Sequence, residues 1–271
     1  MNARSHLPDT NRLSVLTALV LLAYAVTPFI HPPAQDLAMQ LPGFFFNLNF
    51  EFRNFISLIA AGLAAAGMDW LLSGHPNLRN QPTFPHLILP ALTAWAIGLP
   101  LATIRVGLAW WALFALGSVL LVIILVAEYI VVDESDSLHA PATMMLTAVS
   151  FALFLVMAVA LRSSGQRLYL ILPVIGLGAG LVAGRSLYLN QSERWFWGWA
   201  AGISLVIGQI TIGLHYLPVP PLSFGLILLG CLFGLISLAN GINEERATNR
   251  VWIEPILVLI LFIILSILFA S

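Results

Sequence analysis

From Tyr169 to Leu189 the chain reads YLILPVIGLGAGLVAGRSLYL, an apolar run broken by one charge, Arg185. A helix rises about 1.5 Å per residue and the hydrocarbon core of a bilayer is about 30 Å thick, so this run is long enough to cross a membrane. Gly176, Gly180 and Gly184 recur four apart, the spacing that lets a second helix backbone approach closely, so partner membrane helices are expected along that ridge. A buried guanidinium at the far end adds a second demand for neighbours. The segment therefore specifies a helix inside a bundle within a lipid bilayer.

Composition extends that conclusion to the whole chain. Hydrophobic residues make up 60% and charged residues 8%, against about 25% charged in soluble domains, so there is too little charge to coat a water-soluble surface. A net charge of -1 excludes nucleic acid as a partner, which would require a basic stripe. All 11 basic residues are arginine, which removes lysine chemistry such as a retinal Schiff base or a phosphate-loop lysine. The one cysteine, Cys231, lies in an apolar run and is expected to be a buried structural thiol with no internal disulfide partner.

Read in order, the chain is an all-α polytopic bundle of about nine spans. A polar cytoplasmic tail, residues 1–12, precedes a first span from Leu13 to Ile30. Ala23-Tyr24-Ala25 resembles a signal-peptide cleavage site, and cleavage would leave eight spans. The apolar run continues past Ala25, which favours an uncleaved helix. Residues 31–54 mix Pro32, Pro33 and Pro42 with the string GFFFNLNFEF, a composition suited to aromatic rings at headgroup depth. Further spans are predicted at 55–72, 86–104, 108–132, 140–161, 169–189, 195–214, 222–242 and 252–270, separated by breaks such as SGHPNLRNQPTFP and LPVPP.

With the N-terminus inside, the inner segments carry Arg4, Arg12, Arg79, Arg194, Arg246 and Arg250, and the outer ones Arg53, Arg105, Arg162 and Arg167. That excess places the N-terminus in the cytoplasm of a cell whose inner membrane holds the protein. Residues 85–162 and 168–243 share an outline: HLILP at 86–90 matches YLILP at 169–173, and tryptophans follow in each. Three helices per copy would make the copies inverted in the membrane, an arrangement common in transporters. Shared LILP strings and interfacial Trp also arise by chance in so apolar a chain.

The polar residues within spans are few. In this topology Asp69, Glu128, Arg185 and Asn240 lie near the ends of the second, fourth, sixth and eighth spans, and His86 begins the third from the same side. All five are thus expected at similar depth in the inner leaflet, as residues that bind a substrate. Arg185 with Asp69 or Glu128 would make a bidentate pair. Each also lies within a turn or two of a helix end, where arginine snorkels and carboxylates reach water. No HExxH, paired-cysteine, G-x-S-x-G or phosphate-loop motif occurs, and GLGAGLVAG sits inside a spanning run without a flanking strand. No cofactor, metal or catalytic residue is expected, and the reading leans away from an enzyme.

GMDWLLSGHP at 67–76 followed by HLILPALTAW at 86–95 resembles an uncharacterised family of polytopic membrane proteins of Chloroflexota-type bacteria. That resemblance implies a bacterial source and a membrane fold, and transfers no functional residue. Three functions fit these features. The first is a permease-like protein holding a small or amphiphilic solute near Asp69, Glu128 and Arg185. Another is an assembly subunit docking through its small-residue faces, and the last is a membrane enzyme acting on a lipid or isoprenoid.

Overall fold

The structure is a computed structural model and describes residues 7–30, 35–41, 44–50, 52–75, 78, 83–133, 135–190, 197–244 and 251–269. Expectations resting on Arg4, Pro32, Pro33, Pro42, Glu51, Arg79, Arg194, Trp195, Arg246 and Arg250 lie outside those residues. The described residues form nine helices in the predicted order: α1 (Thr10–Ala25), α2 (Phe52–Leu72), α3 (Phe84–Thr103), α4 (Leu108–Val131), α5 (His139–Ser163), α6 (Leu168–Asn190), α7 (Trp197–His215), α8 (Pro221–Asn243) and α9 (Ile253–Leu268). Helices α2 to α8 are long and apolar enough to cross a membrane. The outer two are shorter. At 16 residues each they rise about 24 Å, short of the hydrocarbon thickness. Pro28, three residues beyond α1, stops that helix earlier than its apolar composition alone would suggest.

Between α1 and α2 the chain forms an antiparallel hairpin, β1 (Gln35–Leu41) and β2 (Phe44–Phe50), with Gln35 opposite Phe50 and Leu41 opposite Phe44. The aromatic segment thus has a strand conformation that its composition did not specify. Its sequence does carry the signals: FFFNLNF contains the period-two alternation of a strand, and Pro42-Gly43 is a turn dipeptide.

The chain divides into two compact units, residues 1–139 and 140–271. The boundary falls at the start of α5, inside the 85–162 copy of the proposed repeat, whereas 168–243 lies wholly in the second unit.

In the first unit the helices run up and down, each antiparallel to the next. Arg12 at the start of α1 reaches the Ser73 hydroxyl just past α2 (3.2 Å), while Tyr24 near the end of α1 hydrogen-bonds to Ser57 near the start of α2. Tyr24 also donates to the carbonyl of Ala94 on α3 (2.5 Å). At Gly98 the helices approach so closely that a Cβ would meet the Ser57 side chain and stand 2.9 Å from the Tyr24 hydroxyl. Trp110, buried at the start of α4, donates to the Leu101 carbonyl near the end of α3 (3.1 Å). Leu16, Val20, Tyr24, Ala60, Ala64, Met68, Leu121 and Leu125 form the centre of this core. The first helix is therefore a structural member of the core.

In the second unit the glycine ridge of α6 is occupied by a helix of the same chain. Ser204 of α7 donates to the carbonyl of Gly176 (2.7 Å), and its Cβ is 3.4 Å from where a Cβ on Gly180 would stand. A second ridge, on α8, was not singled out from sequence. Gly230 and Gly234 lie against Phe262 and Pro255 of α9, and Gly241 lies against Val251. Ser223 and Ser266 close that pair by donating to each other's carbonyls (2.8 and 3.4 Å). Cys231 on α8 is a free thiol, and it is half-buried rather than fully enclosed.

Arg162, expected only as a loop charge, is a staple. It ends α5 and donates to the carbonyls of His215 (3.2 Å) and Leu217 (3.0 Å), with its guanidinium 5.4 Å from the Phe224 ring centroid. The His215 carbonyl lies past the helical ladder of α7, so the arginine supplies its donor, and it joins the Val219 N–H on the Leu217 carbonyl. Arg162→Ala is expected to lower stability by about 2 kcal/mol, read as an earlier thermal unfolding midpoint in detergent. Arg162→Lys should recover less than half of the loss, because a point ammonium cannot address carbonyls so arranged.

Candidate functional site

Helix α4 buries Leu121, Ile124, Leu125 and Glu128 along one face, and Ala127, Tyr129, Ile130 and Val131 are buried with them in its last turns. The first four follow the three-and-four spacing of a core-facing stripe, and the end of the helix is enclosed on all sides. An ionisable carboxyl therefore occupies a place that periodicity assigns to an apolar side chain. On α3, His86 occupies the equivalent place in a stripe with Leu89, Pro90 and Thr93. Pro85 in the first turn of α3 suits the helix start, where a missing N–H costs nothing. Pro90 has no N–H to offer the carbonyl of His86 four residues back, which adds a further polar atom to this region.

Because α3 and α4 are antiparallel, the start of one meets the end of the other. His86 Nδ1 lies 2.9 Å from Glu128 Oε2, with the two side chains 4% and 0% exposed. One proton lies between these atoms whether the imidazole donates to a carboxylate or a carboxylic acid donates to the imidazole. Isolated charges are too costly to leave unpartnered at this depth, and each group answers the other.

Two more groups of the first unit join them. The ring of His75, in the connection after α2, packs edge-on against Tyr129, with centroids 4.4 Å apart. Burial holds the His75 imidazole below its ordinary range; Asp133, just past α4, opposes that shift and His86 adds to it. Asp9, the residue before α1, and Arg12 in its first turn act electrostatically on Tyr129. Arg12 itself donates to the Trp70 carbonyl (3.0 Å) and lies over the Trp70 ring at 5.3 Å. One end of the first unit thus gathers Asp9, Arg12, His75, His86, Glu128, Tyr129 and Asp133 from three helices and the segments beside them.

Of the five residues singled out from sequence, the structure brings together His86 and Glu128. Asp69 is exposed on α2, three residues before its end. Arg185 and Asn240 belong to the second unit. Arg185 is fully buried on α6 with its guanidinium 5.7 Å from the Tyr188 ring centroid, and Asn240 is half-buried on α8. Within the first unit Glu128 takes His86 as its partner. His75 and Tyr129 were missed as members of the cluster. His75 stood in the SGHP break, a loop by every local signal, and only the packing of the α2–α3 connection onto α4 reveals its neighbour. Among the described residues no group of three His, Cys, Asp or Glu is arranged to hold a metal ion.

These features define a class: a polytopic helical membrane protein with a His–Glu pair buried inside its spanning segments. The chain belongs to the family described as Protein of unknown function (DUF5656), whose model matches residues 30–269. That agrees with the likeness, read from 67–76 and 86–95, to a family without an assigned activity. No curated protein and no solved structure matches the chain.

Proposed function

We propose that this protein is a permease-like carrier of a bacterial inner membrane that binds a small or amphiphilic solute at the His86–Glu128 pair. The observation that carries the reading is the pair itself, 2.9 Å apart and enclosed within two apolar helices. Ionisable residues in spanning segments are expensive and mark solute or ion pathways. With the N-terminus cytoplasmic, as the arginine distribution favours, the pair lies toward the inner leaflet. Asp69 at the same end of the first unit is the next group proposed to meet solute. In the second unit, the buried Arg185 and the half-buried Asn240 carry the same default reading.

The experiment is solute-evoked charge movement on supported membranes containing the full chain, with a panel of amino acids, organic acids and amphiphilic cations. At least one class is expected to give a signal that Glu128→Gln reduces about 100-fold while the variant keeps its elution profile and melting behaviour. Asp69→Asn and Arg185→Gln are measured beside it. Silence across the panel, together with a stoichiometric co-purifying protein or a lipid turnover product in membrane extracts, would replace this reading with the assembly or enzyme alternative.

A further inference from the structure

We infer that α7 is the interface of a homodimer: its open face pairs with the same face of a second copy, held in register by reciprocal hydrogen bonds between the two Gln209 amides. This interface is independent of the solute reading and uses none of the residues on which that reading rests.

Helix α7 has two unlike sides. One carries Ala200, Ile203, Ile207, Gly208 and Thr211, all buried, and beside them Ser204 bonds to the glycine ridge of α6. The other carries Gly198, Gly202, Leu205, Gln209 and Ile212, all exposed. Those five are alternately four and three apart, the seven-residue repeat of a seam between two helices.

Two features of that seam are ill suited to acyl chains. A Cβ at Gly198 or Gly202 would meet nothing within 4 Å, so these glycines make room for no part of their own chain. Glycine weakens a helix interior relative to alanine, and its use in a spanning helix is to let a second backbone come close. The second feature is the Gln209 amide. Among the described residues nothing takes its hydrogen bonds. Six residues further on, at His215, α7 ends, about 9 Å along the helix. Side chains lean toward the N-terminus of their helix, which for Gln209 is away from that end, so its short side chain does not reach headgroup water. An amide facing lipid tails, which neither donate nor accept, is costly.

A second copy answers both features. Two copies in one membrane share one topology, so about a two-fold axis along the membrane normal their α7 helices run parallel and Gln209 meets Gln209 at one depth. Each amide then donates an N–H to the other's Oε1 and accepts one in return. Gly202 admits the close approach, and Leu205 and Ile212 pack on either side of the amides. A single polar residue in such a seam fixes its register. Any other protein would have to bring a donor and an acceptor to this depth, whereas a copy does so by symmetry.

The test uses the full chain in lipid vesicles, with donor- and acceptor-labelled copies mixed and then diluted with lipid. Energy transfer should persist on dilution of the wild type, and Gln209→Leu should weaken the association roughly tenfold. Gln209→Asn, which keeps an amide, should recover part of the loss. Gly202→Leu should weaken association at least as much as Gln209→Leu, and both should keep wild-type melting because neither side chain meets the rest of its unit. Cross-linking locates the contact. Leu205 on the seam and Leu177 on α6 are each 61% exposed. In a Cys231→Ser background, Leu205→Cys should form an intermolecular disulfide on mild oxidation much faster than Leu177→Cys. Energy transfer at the random-collision level in the wild type overturns the inference, whether lipid, another protein or the rest of the chain covers the face. So does equal cross-linking at the two leucines, or Gln209→Leu associating as the wild type does. A Gln209→Leu chain that fails to fold also overturns it, since the amide would then serve the monomer. The solute panel bears on none of these outcomes.

Discussion

Glu128→Met is expected to destabilise the protein by about 3 kcal/mol, and His86→Phe by a similar amount, whereas the double variant should return to within about 1 kcal/mol of the wild type. Each single change removes one side of an enclosed hydrogen bond, with His86 and Glu128 4% and 0% exposed. Removing both replaces a desolvated pair by apolar groups of comparable size, in stripes already built from Leu121, Ile124 and Leu125 on one side and Leu89 on the other. Hydrogen bonds between helices in bilayers contribute about 1 kcal/mol, so most of the single-variant loss comes from the stranded partner. Unfolding midpoints in a denaturing-detergent titration of all four proteins measure this directly. A double variant as unstable as either single would make the pair a structural clasp. The expected near-neutral double variant means that stability does not require the pair, so its retention inside the bundle must answer to function.

How far the sequence disclosed this arrangement depended on how local each signal was. Helix positions were legible because an apolar run bounded by Gly and Pro is a property of neighbours along the chain. Helices α2 to α8 therefore lie within a few residues of their expected spans. The common depth of His86 and Glu128 was legible as well, because up-and-down topology puts the start of the third helix beside the end of the fourth. What the sequence lacked was direction around each helix axis. Asp69 and Glu128 look alike as acidic residues near span ends, yet Asp69 is exposed on α2 while Glu128 continues the buried stripe of α4. Periodicity could not separate them, because the residues before each, LIAAGLAAAGM and VLLVIILVA, are small or apolar on every face.

Contacts made by connections and helix ends were harder still. Nothing near Arg162 in sequence announces the carbonyls of His215 and Leu217, more than fifty residues away. The α8 ridge of Gly230, Gly234 and Gly241 has the same kind of spacing as the α6 ridge. It was hidden by richer glycine elsewhere, and is evident once α9 packs on it. The hairpin at 35–50 was masked by its composition: aromatic and amide residues suit an interface whatever the backbone does, so only their alternation could have indicated strands.

The tightest helix approach in the first unit supplies the second large effect. Gly98→Ala is expected to cost about 2 to 3 kcal/mol, far more than the small gain that alanine normally brings to a helix interior. The added methyl would collide with the Ser57 hydroxyl, lie 2.6 Å from Ser57 Cβ and stand 2.9 Å from the Tyr24 hydroxyl. Ser57 Cβ is fixed to the α2 backbone and cannot swing aside, and Tyr24 is held by its bond to the Ala94 carbonyl. The strain therefore falls on the seam joining α1, α2 and α3. Ser57→Gly removes the two closest obstructing atoms, so Gly98→Ala combined with Ser57→Gly should recover more than half of the loss. The Tyr24 contact sets the remainder. Denaturing-detergent midpoints measure the cost, and amide exchange along α1 locates it. Faster exchange in α1 is expected for Gly98→Ala alone, because Tyr24 must shift before the methyl fits. If the double variant is no more stable than Gly98→Ala, the close approach of α2 and α3 at this point is not what makes glycine necessary.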